Sequence, residues 1–494
     1  MKKQRLQFKL LALLMFGLFL LLALYGGYSI TTYGNRWFSS ARNPRVRAQK
    51  EVVIAGDILD RNGVVLASTQ GGERVYQADP EARKAIVHLI GDEQGQVSNG
   101  VETFQTSYLY GFKTSFPELV GGMLSSSTRK GDNITLTIDS ELCTHIARSF
   151  ASHEKSAGHY GAAVVMNYLT GEVIAMVSLP GFDPKNITAA THADPGRPFW
   201  NRVTQSVYAP GSSFKIITTV AALDSIDEAA TRSDINCTGG LVIDNQAIRD
   251  YGSDIHGKIT LKKAFTVSCN NAYALLALTM GDEQLRKTAE SFGFNDNFLF
   301  RDLVVENSSY PTGNRSQFEV AASGFGQSAI TASPMHMCMV ASAIANDGVM
   351  MEPRLLLRVQ GNAGQLRESL ESKPYRTATT PENAAVLTQY MRSVVTSGTA
   401  RRAAVDGLSI CGKTGSAESS LNAQDVTHGW FVGFIDDAAL PYAVAVVVES
   451  IDDGEGGGST AAPIAGDIFS YLRDHASLVA PQAEVGDAVP DTPA

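Results

Sequence analysis

From Leu10 to Asn35 the chain carries no charged residue, and the centre of that run reads LALLMFGLFLLLALYGGY. Wound as a helix rising about 1.5 Å per residue, it is long enough to cross the roughly 30 Å of hydrocarbon in a bilayer. Lys2, Lys3, Arg5 and Lys9 precede it, and Arg36, Arg42, Arg45, Arg47 and Lys50 follow. The positive-inside rule puts residues 1–9 in the cytoplasm and the body of the chain on the extracytoplasmic side, although the second basic cluster pulls against that orientation. A cleaved signal peptide is the rival. The run is longer than a signal's apolar core and no Ala-x-Ala site follows, so the expectation is a single uncleaved anchor in the cell membrane over residues 10–30.

At 494 residues, the length asks for two or three domains and rules out a lone small binding module. Hydrophobic residues at 44% against 18% charged supply a sizeable core, which excludes a mostly disordered chain. All 50 acidic residues but only 32 of the 41 basic ones lie beyond Lys50. So acidic a body does not suit nucleic acid as a partner. Cys143, Cys237, Cys269, Cys338 and Cys411 are scattered without close pairs. That supports neither a disulfide framework nor a zinc knuckle, and they read as small core residues. His153-Glu154 lacks the second histidine of an H-E-x-x-H helix. No metal and no cofactor are expected.

Residues 31–132 read as a small β-rich pedestal, in which Asp60-Arg61-Asn62-Gly63 turns between two short apolar runs as a hairpin. Near Asn133 the texture changes. NITLTID (133–139) alternates as a strand and leads into a helix capped by Asp139 or Ser140, so the main domain is placed at 133–477. Within it, 162–166 and 172–177 form a second hairpin, and strands follow at 408–414, 429–435 and 442–449. A long helical middle, roughly 212–400, separates the two strand groups, and a last helix covers 462–474. Short connections favour an antiparallel sheet, and the order of elements an α+β fold with five strands sandwiched by helices. The tail 478–494, with three prolines and three acids, reads as disordered.

The most informative segment is Tyr208-Ala-Pro-Gly-Ser-Ser-Phe-Lys-Ile-Ile-Thr-Thr-Val-Ala-Ala-Leu223. Pro210 and Gly211 break the preceding structure, Ser212 falls at or next to a helix N-cap, and the helix that follows is apolar on nearly every face. Its one cation, Lys215, is three residues after Ser212 and shares its face. Burial of an ammonium lowers its pKa, which suits a proton acceptor, and a neutral amine beside a serine activates the hydroxyl as a nucleophile. Alone, S-x-x-K fits an N-cap serine and a snorkelling lysine equally well. Two further elements add to it. Ser268-Cys269-Asn270 sets a hydroxyl and a carboxamide two positions apart. Lys413-Thr414-Gly415-Ser416 ends an apolar strand with a cation, hydroxyls and a bare glycine, against which a carboxylate can lie.

In this order and spacing, S-x-x-K, S-x-N and K-T-G resemble the active-serine penicillin-recognising enzymes. GDILDRNGVVLA, TGEVIAMVSLPGFDP, NRVTQSVYAPGSSFK, GFGQSAITASPMHM, ANDGVMMEP, VVTSGTA and HGWFVGF extend the likeness over most of residues 30–475. With about a hundred residues between anchor and catalytic domain, the chain resembles a short class B penicillin-binding protein, a monofunctional peptidoglycan D,D-transpeptidase. The resemblance implies Ser212 as nucleophile on a D-Ala-D-Ala stem peptide, Lys215 as its base, Ser268 as proton relay and Asn270 as a partner of the substrate amide. It also implies Lys413, Thr414, Gly415 and Ser416 as the substrate-binding strand, β-lactam antibiotics as acylating ligands, and a multi-span lipid-II polymerase as partner.

A D,D-carboxypeptidase or a β-lactamase shares the same motifs. Glu418-Ser-Ser-Leu-Asn422 matches a lactamase's E-x-x-L-N but in the wrong order, after Lys413. From another class, Gly407–Thr414 fits G-x-x-x-x-G-K-[ST] letter for letter. That makes a P-loop NTPase the formal alternative, against which stand the apolar, strand-like variable positions. Asp452-Asp-Gly-Glu-Gly-Gly-Gly-Ser459 reads as a solvated loop, with gating of the cleft as its other role.

Overall fold

The computed structural model describes residues 2–38, 43–113, 129–226, 235–250, 254–421 and 424–479. The apolar run forms one helix, Lys2–Phe38. Its stretch Leu6–Ser29 is long and apolar enough to cross a membrane, and Leu6–Tyr25 is exposed throughout. Of the expected disordered tail, Leu478 and Val479 close a short helix, Ala476–Val479, and the rest lies outside the described residues.

A six-stranded mixed sheet stands next. Its order is Leu366–Ser369, Leu356–Gln360, Asn133–Leu136, Ile58–Leu59, Val65–Gln70 and Glu73–Tyr76. The hairpin read at Asp60–Gly63 is present, pairing Ile58 with Ala67 and Leu59 with Val65. Asp60 makes the turn by accepting N–H bonds from Asn62 and Val64, both at 2.9 Å on Oδ1, a local side-chain turn of the kind aspartate favours. Two of the six strands come from beyond residue 350 and cross back to this sheet. Where they meet the rest, Glu172 lies buried between Arg354, at 2.8 Å, and Arg61, at 3.4 Å.

The second sheet has five strands, all antiparallel, in the order Ile410–Leu421, Gln424–Ile435, Tyr442–Ile451, Gly161–Asn167 and Val173–Leu179. The helices Ser140–Ser152 and Ala461–Asp474 pack together on it, and so do Pro334–Ala345 and Pro381–Ser397. A strand covered on both faces has no solvent side, which is why AAVVM and YAVAVVV read as unbroken apolar runs rather than alternating ones. This is the α+β sandwich expected. Asp139 caps the helix Ser140–Ser152, its Oδ1 accepting the Leu142 N–H at 2.9 Å.

Two readings need correction. The first two late strands are longer than expected, because the polar GSAESSL pairs residue by residue with its partner down to Leu421 opposite Gln424. A two-stranded ribbon pairs through its backbone and its outer backbone groups face water, so polar side chains are no bar to it there. The helical middle is also interrupted by short strands, at Ile235–Cys237, Gly240–Ile243, Gln246–Arg249 and Gly257–Ile259, and again between Val349 and Thr377.

Candidate active site

The segment that carries Ser212 is fastened before its helix begins. Tyr208 and Ala332 exchange backbone hydrogen bonds at 3.0 and 2.8 Å, and Trp430 Nε1 donates to the Ala209 carbonyl at 3.1 Å. Gly211 takes φ 52 and donates to the Gly326 carbonyl at 3.0 Å. A Cβ on Gly326 would stand 2.0 Å from the Gly211 carbonyl oxygen, so that contact admits only glycine. A tight 3-10 turn, Gly211–Phe214, precedes the helix Lys215–Ser225. Ser212 therefore lies within this turn rather than at an α-helical N-cap. Pro210 explains the tightening, since its carbonyl accepts both the N–H and the hydroxyl of Ser213. Of the four turn residues Ser212 alone is not buried.

Lys215 is fully buried, and its ammonium donates to the Ser268 carbonyl at 2.6 Å, to Ser268 Oγ at 3.1 Å and to Asn270 Oδ1 at 2.8 Å. Burial pulls its pKa down to about 7, against the opposing pull of Cys269 and Asp250. Lys413, equally buried, reaches the same Ser268 Oγ at 2.9 Å and the Thr414 carbonyl at 2.8 Å. Its pKa falls well below the usual lysine value, through burial first and the Lys215 charge second. A serine oxygen that accepts from two amines fills both lone pairs and keeps its own proton to give away.

Ser268 joins two helices, Leu261–Val267 and Asn270–Met280, in the left-handed conformation at φ 61 and ψ 39. For a residue with a Cβ that geometry costs roughly 1–2 kcal/mol, and it turns the hydroxyl between the two lysines. Asp250, unforeseen in the sequence, helps to hold the bend: Oδ1 accepts the N–H groups of Asn270 and, at 3.2 Å, Asn271. Asn270 Nδ2 is bonded to the Arg249 carbonyl at 3.1 Å. The local signal was too distant to find, because Asp250 lies 20 residues before the amide it holds.

Lys413, Thr414, Gly415 and Ser416 lie on the strand Ile410–Leu421, opposite Val432, Phe431, Trp430 and Gly429. This regular pairing removes the P-loop reading, which needs a phosphate-wrapping loop that opens a helix. A Cβ on Gly415 would stand 2.9 Å from the Pro210 carbonyl oxygen and 3.2 Å from the Ser213 nitrogen, so the bare glycine lets the strand press against the Ser212 turn. Thr399, a second residue not singled out beforehand, holds the Thr414 hydroxyl at 2.5 Å. The acidic turn is not simply solvated. Asp452 and Asp453 are exposed, but a Cβ on Gly457 would meet the Trp430 and Gly415 carbonyl oxygens at 2.0 and 2.4 Å, so its glycines pack on this strand. Cys143, Cys338 and Cys411 are buried core thiols, whereas Cys237 and Cys269 both turn toward Asp250.

A serine on a tight turn, two buried lysines that share the Ser268 hydroxyl, and a lysine-bearing strand pressed against the serine's turn fit an active-serine acyltransferase. Residues 161–470 match the penicillin binding protein transpeptidase domain, and the chain belongs to that family, in its class B branch. The peptidoglycan D,D-transpeptidase PbpA of Mycolicibacterium smegmatis is 29% identical over 451 residues, which cover 86% of this chain and 90% of the relative. The ceftriaxone acyl-enzyme of penicillin-binding protein A from M. tuberculosis superposes with a TM-score of 0.77 at 26% identity, covering 85% of this chain and 98% of that one. The D,D-transpeptidase domain of a peptidoglycan glycosyltransferase from Eggerthella lenta gives 0.73 at 29%, covering 86% and 99%.

Proposed function

We propose that Ser212, Lys215, Ser268 and Asn270 carry out the peptidoglycan D,D-transpeptidase reaction of this chain, with Lys413, Thr414, Gly415 and Ser416 holding the donor stem peptide. Ser212 Oγ attacks the carbonyl carbon of the penultimate D-Ala, and Lys215, neutral at its lowered pKa, takes the hydroxyl proton. The N–H groups of Ser212 and Ser416 stabilise the oxyanion. As the C–N bond breaks, the proton passes through Ser268 to the departing D-Ala amine. An acceptor amine then attacks the acyl-serine, forms the new amide and frees Ser212. A β-lactam enters the same path, but its leaving amine stays tethered. Lys413 is poor in charge while it shares a hydroxyl with Lys215; the terminal carboxylate of the donor supplies the missing counter-charge and favours its protonated form.

The observation that carries this reading is the meeting of Lys215 and Lys413 on Ser268 Oγ, at 3.1 and 2.9 Å. The test incubates the full-length protein in detergent with a D-Ala-D-Ala pentapeptide donor and an amine acceptor, and separates products by mass. Cross-linked product is expected in excess over hydrolysed tetrapeptide. Tetrapeptide alone would instead establish a D,D-carboxypeptidase.

The helix Lys2–Phe38 anchors the chain as a single pass, with the catalytic domain extracytoplasmic, where peptidoglycan lies. A multi-span lipid-II polymerase fits as a partner contacted through the anchor and pedestal. Its recovery with the full chain, and not with a chain lacking residues 1–130, is expected; equal recovery with both would refute the contact.

A further inference from the structure

Both lysines of the site are buried with no carboxylate in contact. Among the described residues, every hydrogen bond from either amine runs to a neutral oxygen, of Ser268, Asn270 or Thr414. Sharing Ser268 Oγ at 3.1 and 2.9 Å also sets the two nitrogens against each other, because two cations so close in a dry pocket cannot both hold a full proton. What lies under each is an aromatic ring. Lys215 Nζ stands over Tyr273, 5.2 Å from the ring centroid, and Lys413 Nζ over Phe265 at 5.8 Å. The rings come from the two helices that Ser268 joins, Phe265 three residues before it and Tyr273 five after, and both are fully buried. The negative face of a ring attracts a cation within about 6 Å of its centroid, most strongly where water is absent. Tyr273 is pinned in place. Thr219 Oγ1 gives its one proton to the Lys215 carbonyl at 2.7 Å and so accepts the phenol's proton at 2.6 Å. Burial holds that phenol well above its ordinary pKa, so it acts as a neutral ring and not as a charge.

We propose that Tyr273 and Phe265 are positioning residues that divide one proton between the two lysines, Tyr273 keeping Lys215 basic enough to accept the Ser212 proton and Phe265 keeping Lys413 ready to meet the donor's carboxylate as a cation. The inference deepens the reading of Lys215 as base and rests on it for its catalytic part. Burial alone carries lysines to about 5–6 in documented cases, and a general base works best with a pKa near the ambient pH. A carboxylate in contact would overshoot, holding the ammonium charged. A ring is the weaker partner, and Lys215 lies at about 7. The other titratable groups that act here are few. Asp250 and Cys269, behind the bend, raise Lys215. Lys413 and Lys215 oppose each other's charge across Ser268, and Tyr390, on the helix Pro381–Ser397, acts on Tyr273. Exchanging a ring for an aliphatic side chain leaves all of these in the sequence and removes the face under one amine.

The test titrates the full-length protein in detergent, its lysines isotope-labelled at Cε, by NMR, and follows penicillin acylation against pH in parallel. The Lys215 signal is assigned by its loss in Lys215→Arg, and the Lys413 signal by its loss in Lys413→Arg. Tyr273→Phe keeps the ring and loses the hydroxyl, and should leave the Lys215 midpoint nearly where it is. Tyr273→Leu loses both, and should lower that midpoint by about one pH unit, the size of a desolvated ring contact, with the acylation inflection moving down alongside. The direction separates ring loss from loosening, since a pocket opened to water would return Lys215 upward toward the ordinary lysine value. A Tyr273→Leu midpoint that is unchanged or raised would overturn the proposal, and so would Tyr273→Phe shifting as far as Tyr273→Leu. If Tyr273→Leu does not fold, Phe265→Leu decides: the Lys413 midpoint should fall and the Lys215 midpoint rise, and a Lys413 midpoint that stays or rises would refute the division. The midpoints need no turnover. Variant shifts as expected in a protein that never acylates would therefore overturn the catalytic reading and keep the division of the proton, whereas normal acylation without the shifts would overturn the division alone.

Discussion

Ser212→Ala is expected to abolish covalent labelling by a fluorescent penicillin while leaving the thermal unfolding of the protein almost unchanged. The hydroxyl is half-exposed in a turn whose shape is set by other groups: the Pro210 carbonyl, the Gly211–Gly326 bond, and Trp430 bonded to Ala209. Removing one oxygen there creates no cavity in a packed core, so stability should move by no more than about 0.5 kcal/mol. Chemistry stops altogether, because a neighbouring serine cannot substitute: the Ser213 hydroxyl is buried and already bonded to Pro210 at 2.6 Å. Residual labelling at more than a few per cent of the native rate, in a gel after denaturation, would show that another nucleophile accepts the drug.

Lys215→Arg is the second large effect, and it separates proton transfer from packing. Arginine keeps a cation and a long stem in the same place but cannot become neutral near pH 7. Acylation should fall by about 10²–10⁴-fold, the range general-base catalysis contributes. The native protein carries a further signature. Burial lowers Lys215 to about 7, so the neutral, competent form grows as pH rises through that value. The acylation rate should climb from pH 5 to 8 and then level off. Lys215→Arg should lose that inflection. A native profile that is flat over this range, or an arginine variant that acylates at the native rate, would remove Lys215 from the role of base.

What the sequence made legible follows from which interactions are local. Strands buried on both faces announce themselves as apolar runs, so 162–166, 172–177 and 442–449 were placed with little error. Asp139 could be read as a cap because the N–H it accepts is three residues away. Lys215 could be placed in a buried helix because its helical neighbours are apolar and only three or four residues away; S-x-x-K alone fits a snorkelling lysine as well, and only together with S-x-N and K-T-G did it point to a site. Asp250 and Thr399 were not, since their partners stand 20 and 15 residues off and no spacing rule connects them. The ribbon Ile410–Leu421 with Gln424–Ile435 outran expectation because its pairing is backbone to backbone and leaves no apolar pattern. The strands that return from beyond residue 350 to the six-stranded sheet are a long-range feature, and composition carries no trace of them.

The most direct test of the account is to acylate the native protein with penicillin, digest it, and locate the added mass. The account predicts one adduct per chain, on the peptide that contains Ser212, persisting for many minutes after free drug is removed. An adduct on any other residue, or release of the drug within seconds as in a lactamase, would contradict it.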